Sequence, residues 1–447
     1  MIDITLLLAV LSGIALLLVL ILYFRIQAFI SLLIASIAVG VLAGMPSGDI
    51  ISTMQKGMGD TLGFVAVIVG LGAMFGAILE NSGGAEALAS YLLKKFGEKR
   101  ASWALMLTGF FVAIPVFFDV GFIILMPLVY SLQRKTGKSL LLYGLPLLAG
   151  LAITHAFIPP TPGPVAVADI IGADLGWVIL FGIFASIPAA IIGGPMFARQ
   201  VSKKIHIDAP HFSEDETQVT QFPSAGLVLS IIGVPIILIV ANTLLTGPLF
   251  ESTDIPASVK SWLGLLGHPF AALVLANLLA WYLLGIRRKL GKEKLLKITT
   301  QSMGPAGIII LLTGAGGVFK QMLVDTETDE MLASWFARSV AGILIFAFVA
   351  AVLVRILQGS ATVAMITAAG LTAPLLGADI GEADKALLVI AIASGATIMS
   401  HVNDSGFWLV GKYLKLTEKQ TFQSWTAMTT VLALTGFATA WIISIFV

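Results

Sequence analysis

Apolar residues in this chain do not alternate with polar ones; they come in continuous runs of about 20 residues separated by short polar segments. A run of that length, wound as a helix, crosses a hydrocarbon core of roughly 30 Å. Ten such runs fall at about 4–23, 27–45, 61–80, 138–158, 174–198, 224–246, 263–285, 304–324, 386–411 and 421–446. The pattern predicts an all-α polytopic membrane protein, and because the runs are long and unbroken it excludes an outer-membrane barrel built from alternating ten-residue strands. Asp3 precedes the first run and Arg25 follows it, the reverse of a secretory signal peptide, so residues 4–23 read as a retained span entering from outside.

The basic residues orient the runs. Arg25, Lys94, Lys95, Lys99, Arg100, Arg134, Lys135, Lys138, Arg199, Lys203 and Lys204 fall on one side, together with the clusters at 287–297 and 412–419. The other side holds only Lys56, Lys260, Arg338 and Lys385. The positive-inside rule makes the rich side cytoplasmic and places both termini outside. Two further apolar stretches then have the same compartment at both ends. Residues 102–131 are flanked by cytoplasmic bases and predict a re-entrant hairpin with its tip near Pro115–Gly121. Residues 339–375 are flanked by outer acids (Asp325, Glu327, Asp329 and Glu330 before, Asp379, Glu382 and Asp384 after) and predict a second, outward-opening hairpin with its tip near Gly359–Thr362. Non-helical backbone at membrane depth persists only where protein or water satisfies it, so the tips should line a buried cavity.

The chain also repeats itself. Residues 70–90, GLGAMFGAILENSGGAEALAS, align without gaps to 314–334, GAGGVFKQMLVDTETDEMLAS, and Thr154-His155 fall opposite Ser400-His401 at nearly the same offset. Each half holds about five spans and one hairpin; an odd count inverts one half relative to the other. Residues 1–200 form the first inverted-topology repeat and 224–447 the second, joined by a solvated cytoplasmic linker at 201–223. Inverted repeats with discontinuous helices are a secondary-transporter design, with the site near the midplane.

Composition narrows the chemistry. The chain is 58% hydrophobic and 11% charged, with a mean hydropathy of +0.99, too little charge for a soluble globule. It has no cysteine, which removes thiol catalysis, disulfides, iron–sulfur clusters and cysteine-based zinc sites. No HExxH or GxSxG is present, so an intramembrane enzyme is disfavoured. No metal site or organic cofactor is expected, and a net charge of +1 carries no signature of nucleic-acid binding. The glycines at 70–76 and 314–317 lack any βαβ context and read as close helix packing.

An ionised side chain at the bilayer centre costs about 2.5–3.5 kcal/mol on insertion scales, so each one needs a partner or a task. Asp119 sits in IPVFFDVGF at the first tip. His155 lies in THAFIPPTPGP, where four prolines must break the helix and where Thr161 adds a hydroxyl. Ser360 and Thr362 stand in GSATVA just before a half-helix N-terminus, a geometry suited to an anion. SHVNDSGFW packs His401, Asn403, Asp404 and Ser405 into one interruption of the ninth span. Lys320 and Arg355 either face the cavity or snorkel to the interface.

The motifs GLGAMFGAILENSGGAE, FFDVGFIILMPL, THAFIPPTPGPVA, GAGGVFKQMLVD, QGSATVA and SHVNDSGFW resemble, in order and spacing, those of the gluconate permease family, across essentially the whole chain. The resemblance implies proton-coupled uptake of sugar acids across the bacterial inner membrane, an ion-transporter-superfamily fold, and a homodimer. Two departures bear on substrate: Thr161 replaces a histidine frequent in the family's PPHPGP, and Asp119 replaces a frequent glutamate. They bring glycerate and threonate alongside gluconate as candidates, and a D-serine-handling relative implies tolerance of amino acids. The expectation is a symporter of a small hydroxy-carboxylate. Ser360, Thr362, Asn403, Ser405, His401, Thr161 and Lys320 would contact the substrate, while Asp119, with His155 or Asp404, would couple the proton. Sodium symport and cation/proton exchange stand as the alternatives.

Overall fold

The computed structural model describes residues 4–210, 222–246, 256–326, 340–377 and 380–447. Residues 211–221 of the linker, Glu327, Asp329, Glu330, Arg338 and Asp379 lie outside the described residues, as do residues 327–334 of the second repeat copy. Every regular element among the described residues is helical. The first ten helices are α1 (Ile4–Leu22), α2 (Ala28–Leu42), α3 (Ser47–Asn81), α4 (Gly84–Phe96), α5 (Ala101–Val112), α6 (Phe118–Thr136), α7 (Leu141–Phe157), α8 (Pro162–Ile171), α9 (Leu175–Ile191) and α10 (Phe197–Lys204). After the linker come α11 (Ala225–Thr246), α12 (Ala257–Gly267), α13 (Pro269–Ala280), α14 (Lys292–Gln301), α15 (Met303–Asp325), α16 (Val340–Gln358), α17 (Ala361–Thr372), α18 (Glu382–Thr397), α19 (Ser405–Tyr413) and α20 (Ala427–Ile443). Seven helical segments among the described residues are long and apolar enough to cross a membrane. The molecule is a multi-pass membrane protein.

Helix α3 starts at Ser47, well before the apolar run that predicted it, because its polar first turns are amphipathic. Ile50, Thr53 and Gly57 are buried while Asp49, Lys56 and Asp60 stay exposed. Helices α3 and α15 make the most extensive pairing in the molecule. Glycine permits it: a Cβ on Gly57 would lie 2.7 Å from the Gly317 carbonyl, and one on Gly317 would lie 2.1 Å from Thr61 Oγ1. Helix α2 packs on α15, and α13 packs on α3.

Beside this pair lies a bundle formed by α5–α9 and α16–α20. The prolines at 159–164 end α7 at Phe157 and restart the chain as α8 at Pro162, where Pro at the first helical position costs no hydrogen bond. The ninth apolar run is also interrupted, without proline, between Thr397 and Ser405. Two helix–tip–helix units, α5–α6 and α16–α17, pack against these broken helices. Their tips are short: Ala113–Phe117 in the first, and Gly359 with Ser360 in the second, where Gly359 takes a φ of +86° that suits glycine.

Candidate functional site

Four helices begin at one cavity. Its wall includes the second residue of each: Asp119 of α6, Gly163 of α8, Thr362 of α17 and Gly406 of α19. The first four N–H groups of a helix lack intrahelical acceptors and carry the positive end of its dipole. Four such ends face one space and present backbone N–H donors to it. The cavity measures about 450 Å³ and is further lined by His155, Arg355, Thr397, Ser405, Trp425 and Thr429, within the size range of small-molecule sites. A second space of about 350 Å³ shares Phe117, Val120 and Pro305 with it and reaches Glu80, Asn81, Gln301 and Ser302, forming a polar vestibule on that side.

The predicted site residues divide. Asp119, His155, Thr362, Asp404 and Ser405 all line the cavity. Asp119 and Ser405 are exposed to it, and among the described residues the Asp119 carboxylate has no hydrogen bond or ion pair. His155 stands between the cavity and a small adjoining chamber, its ring 6.1 Å from that of Phe117 and its Nδ1 buried without a partner among the described residues.

The others hold the scaffold. Ser360 caps α17, its Oγ accepting from Val363 N at 3.3 Å. Thr161 Oγ1 donates to the Ile158 carbonyl at 2.7 Å across the first break. His401 Nε2 lies 2.9 Å from the Ile356 carbonyl, and Asn403 Nδ2 donates to the carbonyls of Ile356 and Leu357 at 3.0 and 3.3 Å. Both therefore satisfy the carbonyl end of α16, and Asn403 faces a different cavity with Arg25, Gln27 and Gln358. Lys320 lies eleven residues, about 16 Å of helix, beyond Ile309 of the cavity wall, its Nζ donating to the Asp169 carbonyl at 3.5 Å.

Arg355 is the main residue that sequence reasoning left undecided. It is 4% exposed, lines the cavity and pairs with Asp404 Oδ2 at 2.5 Å. Its signal was present, a cation inside an apolar helix, but its partner lies 49 residues away. Trp425, Thr397 and Thr429 gave no signal at all, since aromatic and threonine side chains are common in spans. Trp425 stacks on Phe118 with ring centroids 5.5 Å apart, closing one wall.

Backbone N–H ends, hydroxyls and an unpartnered carboxylate in one cavity suit capture of a small polar anion together with a cation or proton.

Comparison with known proteins agrees with that chemistry. The sequence profile of GntP family permeases matches residues 4–446. The low-affinity gluconate transporter of Escherichia coli (strain K12) is 41% identical, with 98% of this chain and 97% of that protein aligned. A gluconate permease of Pseudomonas aeruginosa is 40% identical over 97% and 96% of the two chains. The Gnt-II system L-idonate transporter of E. coli K12 is 36% identical over 95% and 96%. In fold, the chain is similar to the YdaH transporter of Alcanivorax borkumensis, with a TM-score of 0.66 at 14% identity over 94% of this chain and 98% of that one. Profile and relatives match almost the whole length, and the chain belongs to the GntP family of permeases.

Proposed function

We propose that this permease imports a sugar acid of the gluconate class into a bacterial cell across the inner membrane by proton symport. The observation that carries the reading is the convergence of four helix N-termini on a cavity that also holds Asp119. The substrate carboxylate binds the N–H groups at those termini, while Thr362, Ser405, Thr397 and Thr429 offer partners to its hydroxyls. The names of the relatives, gluconate and L-idonate transporters, support a six-carbon chain.

Coupling follows from charge. A substrate anion and an ionised Asp119 repel within one cavity, so an anion and a proton on Asp119 favour one another's binding. Protonation also lowers the cost of carrying the carboxyl through the membrane interior, which favours reorientation of the loaded site. His155, adjoining the same cavity, relays the proton.

Alternating access uses two inverted-topology repeats, 1–200 and 224–447, with about ten membrane-crossing segments and two re-entrant hairpins, α5–α6 and α16–α17. Three correspondences support the repeat. Asp119 and Thr362, and Gly163 and Gly406, occupy equivalent second positions of their helices and are each 243 residues apart. Gly150 meets the Met106 carbonyl of α5 as Gly395 meets the Phe348 carbonyl of α16. Both termini face outward and the vestibule beside Glu80 opens to the cytoplasm.

The test is uptake by proteoliposomes of labelled glycerate, threonate and gluconate under an inward proton gradient, a sodium gradient or neither. Gluconate accumulation only under the proton gradient is expected, and Asp119→Asn should abolish it while leaving exchange of internal for external substrate. Sodium-driven accumulation, or proton-driven accumulation by the variant, would refute the coupling scheme.

A further inference from the structure

Arg355 does more in this structure than balance a charge. Three of its five N–H donors are taken by protein acceptors: Nε by the Ile398 carbonyl at 3.4 Å, Nη1 by the Gly359 carbonyl, and Nη2 by Asp404 Oδ2 at 2.5 Å. Those acceptors belong to three separate places. Ile398 is the first residue beyond α18, Gly359 is the tip that leads into α17, and Asp404 caps the N-terminus of α19. One planar guanidinium therefore ties together the two second-half helix starts that face the cavity.

Asp404 carries the connection onward. It accepts from Gly406 N at 3.0 Å and from Ser400 Oγ. Ser400 is in turn fastened to the last helix and the segment before it: its Oγ accepts from Trp425 Nε1 at 2.6 Å, its N–H donates to Thr429 Oγ1 at 3.1 Å, and its carbonyl accepts from Thr426 Oγ1. Among the described residues the first half shows no such ion pair; there Thr161 spans the break by donating its Oγ1 and its N–H to the Ile158 carbonyl, at 2.7 and 3.4 Å. The two aspartates of the cavity thus differ in kind. Asp404 is engaged by a cation, a hydroxyl and a backbone N–H, whereas Asp119 is exposed to the cavity and unpartnered among the described residues.

We propose that Arg355 is a positioning residue of the transport site, forming with Asp404 a charge-neutral clamp that sets α17 and α19 against the substrate and carries no transported proton. The proposal rests on reading the cavity as the sugar-acid site. Lysine cannot replace Arg355, because a point-like ammonium does not reproduce a planar fork of donors reaching three separated acceptors. Loss of either partner leaves a buried charge uncompensated, while replacing both with amides keeps hydrogen-bonding groups and removes both charges.

The experiment compares wild type, Arg355→Lys, Asp404→Asn and the double variant Arg355→Gln/Asp404→Asn, by thermal unfolding in detergent and by gluconate uptake against concentration and pH. Each single change should lower Tm and raise KM at least tenfold. The double variant should recover Tm above Asp404→Asn and keep the wild-type pH midpoint of uptake. If neither single variant folds, folding of the double variant alone supports the clamp and its failure to fold overturns it. A double variant no more stable than Asp404→Asn, or one whose pH dependence is lost as in Asp119→Asn, also overturns it. Absence of gluconate uptake by the wild type would instead sink the substrate assignment, and the Tm comparison would still decide the clamp.

Discussion

Gly76 offers a sharp test of how the tip that carries Asp119 is placed. A Cβ on Gly76 of α3 would lie 2.0 Å from the Pro115 carbonyl oxygen and 3.0 Å from its carbon. Relaxed carbon–oxygen contacts settle at about 3.3–3.6 Å, so Gly76→Ala must drive the tip back by more than about 1 Å. The opposing atom is backbone, not the end of a pliant side chain, so the displacement passes along the tip to Asp119, four residues on. Overpacking of this kind costs about 1–3 kcal/mol, partly offset by the gain of roughly 1 kcal/mol from alanine over glycine within a helix. A misplacement of about 1 Å at a functional group can cost about 100-fold in rate. The expected outcome is a modest fall in Tm and a fall of about 100-fold in proton-driven uptake by proteoliposomes. Gly63→Ala on the same helix is the control: no atom lies within 4 Å of its Cβ position, and it should leave uptake unchanged and Tm equal or higher. Wild-type uptake by Gly76→Ala would refute the claim that this contact positions the tip.

Three further outcomes are expected. Thr362→Val, which keeps shape but removes the hydroxyl at the start of α17, should raise the KM for gluconate by about tenfold or more, the cost of a lost or unsatisfied hydrogen bond, while Thr362→Ser retains most of the affinity in the same assay. Lys320→Met should leave KM unchanged, since the ammonium lies beside Asp169 and outside the cavity wall; a tenfold rise in KM would return Lys320 to the substrate site. Because the chain lacks cysteine, Lys203→Cys provides a single exposed thiol at the start of the linker, and it should react with a membrane-impermeant maleimide in inside-out vesicles but not in intact cells.

Much of the molecule was legible from the order of its residues because the deciding physics is local. A bilayer imposes one length on apolar segments, so the runs announce the helices. Proline lacks an N–H, so Pro159–Pro164 announce the break between α7 and α8 wherever they pack. Polar residues such as Asp119, Asp404 and Ser405 are costly enough in an apolar setting to mark the neighbourhood of the cavity they line. Helix α3 was read too short for the same reason: Asp49, Lys56 and Asp60 end the apolar run, but not the helix, whose buried Ile50, Thr53 and Gly57 are apparent only beside α15.

What each polar residue does was decided by tertiary structure. His401 and Asn403 looked like substrate ligands, but α16 ends beside them and its last carbonyls need donors. Arg355 was undecided until folding set it beside Asp404, 49 residues away, and made a neutral pair of two charges that would each be costly alone. Lys320 fell outside the cavity because α15 carries it about 16 Å past the wall. The convergence of Asp119, Gly163, Thr362 and Gly406 has no trace in any one segment, since a helix start is a local event but the place where four of them meet is set by packing. Sequence determined which segments are apolar helices and where proline breaks one; only the fold determined which donors are spent on the backbone and which stay free for a ligand, because that depends on acceptors brought near from distant parts of the chain.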